Sequence, residues 1–159
     1  MTTPLPLLVA TDLTALSRHA VHRAAMLARQ AGAPLDLLHV LEMPALHELR
    51  RLLGGSETEL AQRVETQAHE ALQQLAGEIE QQHGVRSQIR LMRGPMVGAI
   101  TERARQTNAA MLVVGANSAA VLRHWLLGAT ADRLLRTSTQ PMLFVRLMPH
   151  EDYRRVLVP

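Results

Sequence analysis

The sequence predicts an α/β fold: a five-stranded doubly wound parallel sheet with helices on both faces and strand order 3-2-1-4-5. Three observations lead there. Short runs that are apolar at every position recur along the chain, as expected of strands buried on both sides. Each of the first four is followed by a segment with helical spacing of its apolar residues. Most of the connections are only a few residues long, which favours right-handed strand-helix-strand crossovers over hairpins.

The first strand is Leu5 to Thr11 (LPLLVAT), and Asp12-Leu13-Thr14 places side-chain oxygens at its carboxyl end. A helix follows over Leu16 to Ala31, with Ala20, Val21, Ala24, Ala25, Leu27 and Ala28 on one face, and Gly32 closes it. Pro34 to Val40 (PLDLLHV) is the second strand. Leu41 to Ser56 is the least regular stretch; Pro44 to Leu53 has room for a short helix before Gly54-Gly55. Glu57 to His83 is a long amphipathic helix with Leu60, Val64, Ala68, Leu72, Leu75 and Ile79 inward, stopped by Gly84. Ser87 to Met92 alternates polar and apolar residues, the pattern of a strand near a sheet edge with one wetter face. A helix over Met96 to Thr107 turns Val97, Ile100 and Ala104 inward and leads to the fourth strand, Met111 to Gly115. The last helix, Thr130 to Thr137, buries Leu134 and Leu135, and the fifth strand is Met142 to Leu147 (MLFVRL).

Composition narrows the function. All 17 basic residues are arginine, so a lysine-bearing phosphate loop and Schiff-base chemistry are excluded. The formal net charge is only +3 and acidic residues are interspersed, while Trp125, Phe144 and Tyr153 are the only aromatics. That is a poor basis for a nucleic-acid interface, which wants a basic stripe and stacking rings. The chain has no cysteine, no signal-peptide pattern at its start and no apolar run of membrane-spanning length, which together lead to the expectation of a cytoplasmic protein.

Met111 to Thr130 (MLVVGANSAAVLRHWLLGAT) carries the main functional signal. A buried strand ends at Gly115, a loop of small and polar residues follows, and Gly128 stands just before a helix, an order that lets backbone N–H groups face an anion. In the strand order given above, the ligand crevice lies where the ends of the first and fourth strands meet, so Asp12 and Gly115 become neighbours.

Other polar residues carry weaker signals. His19 and His22 have a spacing that can seat a metal, but no third ligand is recognisable, and they read as solvated helix histidines. His39, on a buried strand, reads as a satisfied core histidine. Ser118 and Thr14 lack a matched histidine-carboxylate pair, and Ser118 lies outside any Gly-x-Ser-x-Gly elbow, so no catalytic residue is assigned. Trp125 is a candidate lid or partner contact, or simply a packing residue.

At the carboxyl end, a polar spacer led by Pro149 precedes Tyr153 to Pro159 (YRRVLVP), in which Val156-Leu157-Val158 echoes Leu7-Leu8-Val9. Residues 1–148 therefore form the domain, and 149–159 are either a tail or the first strand of a second copy of it.

LLVATDLT at Leu7–Thr14, LLHV at Leu37–Val40 and VVGANSAAVLRHWLLGATADRLLR at Val113–Arg136 resemble the universal stress protein family across Leu5–Leu147. The resemblance implies the Rossmann-like fold of the adenine-nucleotide alpha-hydrolase type. Nucleotide-binding members carry Gly, two residues, Gly, nine residues, then Gly and Ser or Thr. Here Gly115 and Gly128 match the outer glycines, Ser118 stands at the middle glycine and Ala129 at the hydroxyl, with Thr130 one position late. Asp12 matches an aspartate lying by the adenosine, and Val40 a position whose backbone lines the adenine. A serine at the middle position adds a Cβ where backbone must approach phosphate. The alanine removes a hydrogen bond to an anion, worth about 1.5–3 kcal/mol. Thr130, Arg123 and the N–H groups after Gly128 still offer an anion some hold.

These features lead to a universal stress protein domain that dimerises and docks a protein partner, with a degenerate nucleotide loop. The alternative is an ATP- or AMP-binding stress sensor with at most slow hydrolysis. The apolar edge strand Met142–Leu147 supplies the dimer surface, between two chains or two tandem domains, because an exposed apolar edge demands cover.

Overall fold

The computed structural model describes residues 4–42, 57–116 and 129–154. Its elements follow the order β1 (Leu7–Ala10), α1 (Ala15–Ala31), β2 (Leu35–Leu41), α2 (Glu57–His83), β3 (Ser87–Arg93), α3 (Met96–Gln106), β4 (Met111–Gly115), α4 (Ala129–Thr137) and β5 (Met142–Val145). The five strands form one sheet in the order β3-β2-β1-β4-β5, and every pairing is parallel. The expected topology is the observed one. The short helix expected over Pro44–Leu53 and the apolar triplet Val156–Val158 lie outside the described residues.

The apolar runs read as strands because each strand feeds two cores. Val9, Leu37 and Val113 point to one side of the sheet, where Ala20, Ala24, Leu72 and Ile79 of α1 and α2 meet them. Leu8, Leu38 and Leu112 point to the other, against Ile100 and Ala104 of α3 and Leu134 of α4. Period-two alternation is thus present in direction but invisible in polarity. β3 departs from this, with Gln88, Arg90 and Arg93 exposed at the edge.

Two expectations about helix faces and strand interiors need amendment. Leu135 is 52% exposed, because only the Ala131–Leu134 side of the short α4 faces the sheet and its neighbour is rotated about 100° away. Asp36 sits in the apolar run of β2 and is 3% exposed. Its carboxylate takes two contacts from Arg103 of α3, at 2.7 and 2.6 Å from Nε and Nη2. Two charges leave water together there, and either one left alone would carry a large desolvation cost.

Beyond β5 the chain returns across α1. Asp152 accepts from Arg29 through both oxygens at 3.0 Å, and the Arg23 guanidinium donates to the Glu151 carbonyl at 2.9 Å. The same guanidinium carbon lies 3.9 Å from the Tyr153 ring centroid, within cation–π range.

Candidate functional site

The site begins with Thr11, the residue that leaves β1. Its N–H donates to the Leu38 carbonyl at 2.9 Å, and its own carbonyl lies 2.8 Å from Nδ1 of His39. A carbonyl can only accept, so that nitrogen carries the proton and the imidazole is held as the Nδ1–H form when neutral. The Thr11 hydroxyl accepts from the Leu13 N–H at 3.0 Å and lies 2.8 Å from the Ser17 hydroxyl. Ser17 in turn donates to the Thr14 carbonyl at 3.1 Å. Strand end, turn and first helical turn are therefore tied into one hydrogen-bonded unit.

Asp12 sits inside this unit. Its Oδ1 accepts from the Thr14 N–H at 3.0 Å and from the Thr14 hydroxyl at 2.6 Å, closing a tight turn in which Leu13 adopts a φ of 66°. Thr14, and not Asp12, is the α1 cap, accepting from the Ser17 N–H. Partial burial works against ionisation of Asp12, but hydrogen bonds from Ser17 and Thr14 together outweigh it and hold the carboxyl below its ordinary range. At neutral pH the group is a carboxylate.

Gly115 closes the far side. A Cβ built on it would stand 3.3 Å from the Ser17 Cα and 3.6 Å from the Leu16 carbonyl oxygen. Glycine suits this position because the α1 backbone passes directly over the end of β4, and a Cβ would make the α1 backbone give by a few tenths of an ångström. This packing role is separate from any anion-binding role of the same residue.

Between these elements opens a cavity of about 290 Å³ at the carboxyl ends of β1, β2 and β4. That is near the lower bound of small-molecule sites, roughly 300–1,000 Å³. Asp12, Val40, Gly115 and Thr130 all line it, so the structure brings four of the sequence-derived site residues to one place. Ala129 is the first residue of α4, whose amino end opens beside the cavity. Ser118 and Gly128, together with Arg123 and Trp125, lie outside the described residues. Sequence reasoning missed the apolar wall made by Met96, Ile100 and Leu134, and missed that His39, satisfied as expected, also borders the cavity. The wall was within reach, since Met96 opens the helix after β3 and so must lie at the strands' carboxyl ends.

His22 does not fit the reading of a solvated helix histidine. It is 7% exposed, and its Nδ1 lies 2.9 Å from Nε2 of His83. Among the described residues no cluster of three metal-ligating side chains is present.

A parallel 3-2-1-4-5 sheet with its crevice at the β1/β4 switch point defines a doubly wound α/β domain, a class whose ligands commonly bind at the strand ends. The chain belongs to the universal stress protein family, whose sequence signature it matches over residues 5–146. Universal stress protein A homolog 1 of Coxiella burnetii is 29% identical over 143 residues, covering 87% of this chain and 94% of that one. A universal stress protein solved in complex with cAMP superposes with a TM-score of 0.65 at 21% identity, covering 91% of this chain and 98% of that one. An Archaeoglobus fulgidus universal stress protein solved in complex with dAMP gives a TM-score of 0.65 at 22% identity, with 91% and 100% coverage.

The close approach at Gly115 makes a prediction. Gly115→Ala sets a Cβ 3.3 Å from the Ser17 Cα, so the α1 backbone must shift by a few tenths of an ångström, and overpacking of this kind costs about 1–3 kcal/mol. The entropy gained by restricting the unfolded chain is only about 0.4–1 kcal/mol. Urea denaturation is therefore expected to show net destabilisation; unchanged or raised stability would contradict the packing role.

Proposed function

We propose that this domain binds the nucleoside part of an adenine nucleotide in the cavity between β1 and β4, with a weakened grip on the phosphates. The observation that carries the reading is the convergence of Asp12, Val40, Gly115 and Thr130 on that cavity. Asp12 supplies a carboxylate acceptor for sugar hydroxyls. The Val40 backbone offers hydrogen-bonding groups to the base edge, and Met96, Ile100 and Leu134 give the base an apolar wall. Phosphates would extend towards Gly115 and the amino end of α4, where N–H groups and Thr130 offer donors. Relatives of the same fold have been solved with the adenine monophosphates cAMP and dAMP, which agrees with recognition centred on the nucleoside. The role is that of a stress-response module responding to nucleotide, with at most slow hydrolysis.

Calorimetric titration tests this directly. AMP and ATP should bind with similar affinity, and Asp12→Ala should weaken both by about tenfold or more, the worth of one good polar interaction. Ser118→Gly combined with Ala129→Ser should strengthen ATP by about tenfold while leaving adenosine unchanged. Absence of AMP and ATP binding at millimolar concentration would overturn the reading.

A second reading, homodimerisation through the β5 edge, rests on the apolar surface there. Met142, Leu143 and Phe144 are only half-buried, and Leu147 just beyond them is 80% exposed. A second copy of the chain would cover this edge and remove an aggregation hazard. Sedimentation equilibrium should give the mass of two chains, with Leu147→Asp shifting the equilibrium towards one. A monomer at all concentrations would rule the homodimer out.

A further inference from the structure

The His22–His83 contact joins the middle of α1 to the last residue of α2, on the side of the domain that the nucleotide reading does not use. The nitrogens are 2.9 Å apart and the rings meet edge-on, with centroids at 5.2 Å and planes at 66°. One nitrogen must donate and the other accept, so the contact requires that one of the two facing nitrogens carry no proton. The pair can gain one proton at an outward nitrogen and keep its bond. With a second, both facing nitrogens carry hydrogen and the bond becomes a repulsion between two cations.

The surroundings offset that charge only in part. Arg18, His19 and Arg29 face the pair from α1, Glu78 from α2 and Asp152 from the C-terminal segment. Both carboxylates are already engaged, Glu78 by Arg18 at 2.7 Å and Asp152 by Arg29 at 3.0 Å. His83 ends α2, and Gly84 behind it has a φ of 68°, so the least costly escape is for the last turn of α2 to open. A charged His83 released in this way would compete with Arg29 for Asp152, the residue that ties the C-terminal segment to α1.

We infer that His22 and His83 form an acid-operated clasp: at neutral pH it fastens the end of α2 to α1, and acidification opens it and loosens the segment around Asp152. Burial, reinforced for His22 by the neighbouring His83 and for His83 by Arg29, lowers both pKa values from their ordinary position near 6.5. A histidine lowered in the folded state contributes stability that is complete above its unfolded pKa and is lost as pH falls from there through its folded pKa. Because opening requires the second proton, the clasp opens below the ordinary histidine range.

Hydrogen exchange of the full chain, corrected for the intrinsic pH dependence of exchange, tests this. Between about pH 7.5 and pH 5, protection of the amides at the end of α2 should fall by about tenfold or more, with residues 150–154 loosening in parallel. His83→Gln, which can bond to His22 without gaining charge, should remove this dependence. Flat protection in the wild type, or an unchanged dependence in His83→Gln, would overturn the inference. Should that variant fold poorly, histidine NMR titration of the wild type decides: two coupled transitions, with the lower well under about 6.5, support the clasp, and two independent transitions near 6.5 refute it.

Discussion

The structure depends on the close passage of α1 over the end of β4. Ser17 lies so close over Gly115 that an added Cβ would stand only 3.3 Å from its Cα, and the Thr11–Ser17 hydrogen bond holds the start of α1 against the end of β1. Those contacts fix the angle at which α1 leaves the sheet. They also fix where Asp12 sits, because the turn between strand and helix is closed by Asp12 and Thr14. The cavity is the space left beside that junction by two parallel strands whose connections diverge to opposite faces of the sheet. Packing and site geometry thus have one origin.

The site is uneven in chemical character. One end has a formed carboxylate, a hydrogen-bonded histidine of fixed tautomer and an apolar wall. Its other end has Thr130 and the amino terminus of α4, where Ala129, without a hydroxyl, is the first residue. One hydrogen bond to an anion, at about 1.5–3 kcal/mol, is worth roughly one to two orders of magnitude in affinity. Under the proposed nucleotide reading, the lack of one such bond shifts which nucleotide is favoured without abolishing binding.

Much of this is legible in the sequence, for identifiable reasons. Strands buried on both faces must be apolar throughout, and short connections leave only parallel crossovers, so topology follows from pattern. Asp12 and Gly115 can be placed together because strand order alone determines the switch point. What escapes depends on pairings across long sequence distances. Arg23 reaches Tyr153 and Glu151, and His22 reaches His83, and neither pairing has a local pattern. The exposure of Leu135 is hidden because a nine-residue helix has too few turns for periodicity to tell which of two adjacent leucines faces inward. Asp36 escapes notice because its partner Arg103 lies 67 positions away on another helix.

One cavity at the β1/β4 switch point receives the ligand: that is the central claim, and amide NMR shifts during titration with AMP measure it most directly. The account predicts that Asp12, Val40, Gly115 and Thr130 shift together along a single saturating curve. Saturable shifts confined to other parts of the chain, or no shifts at these four residues, would contradict it.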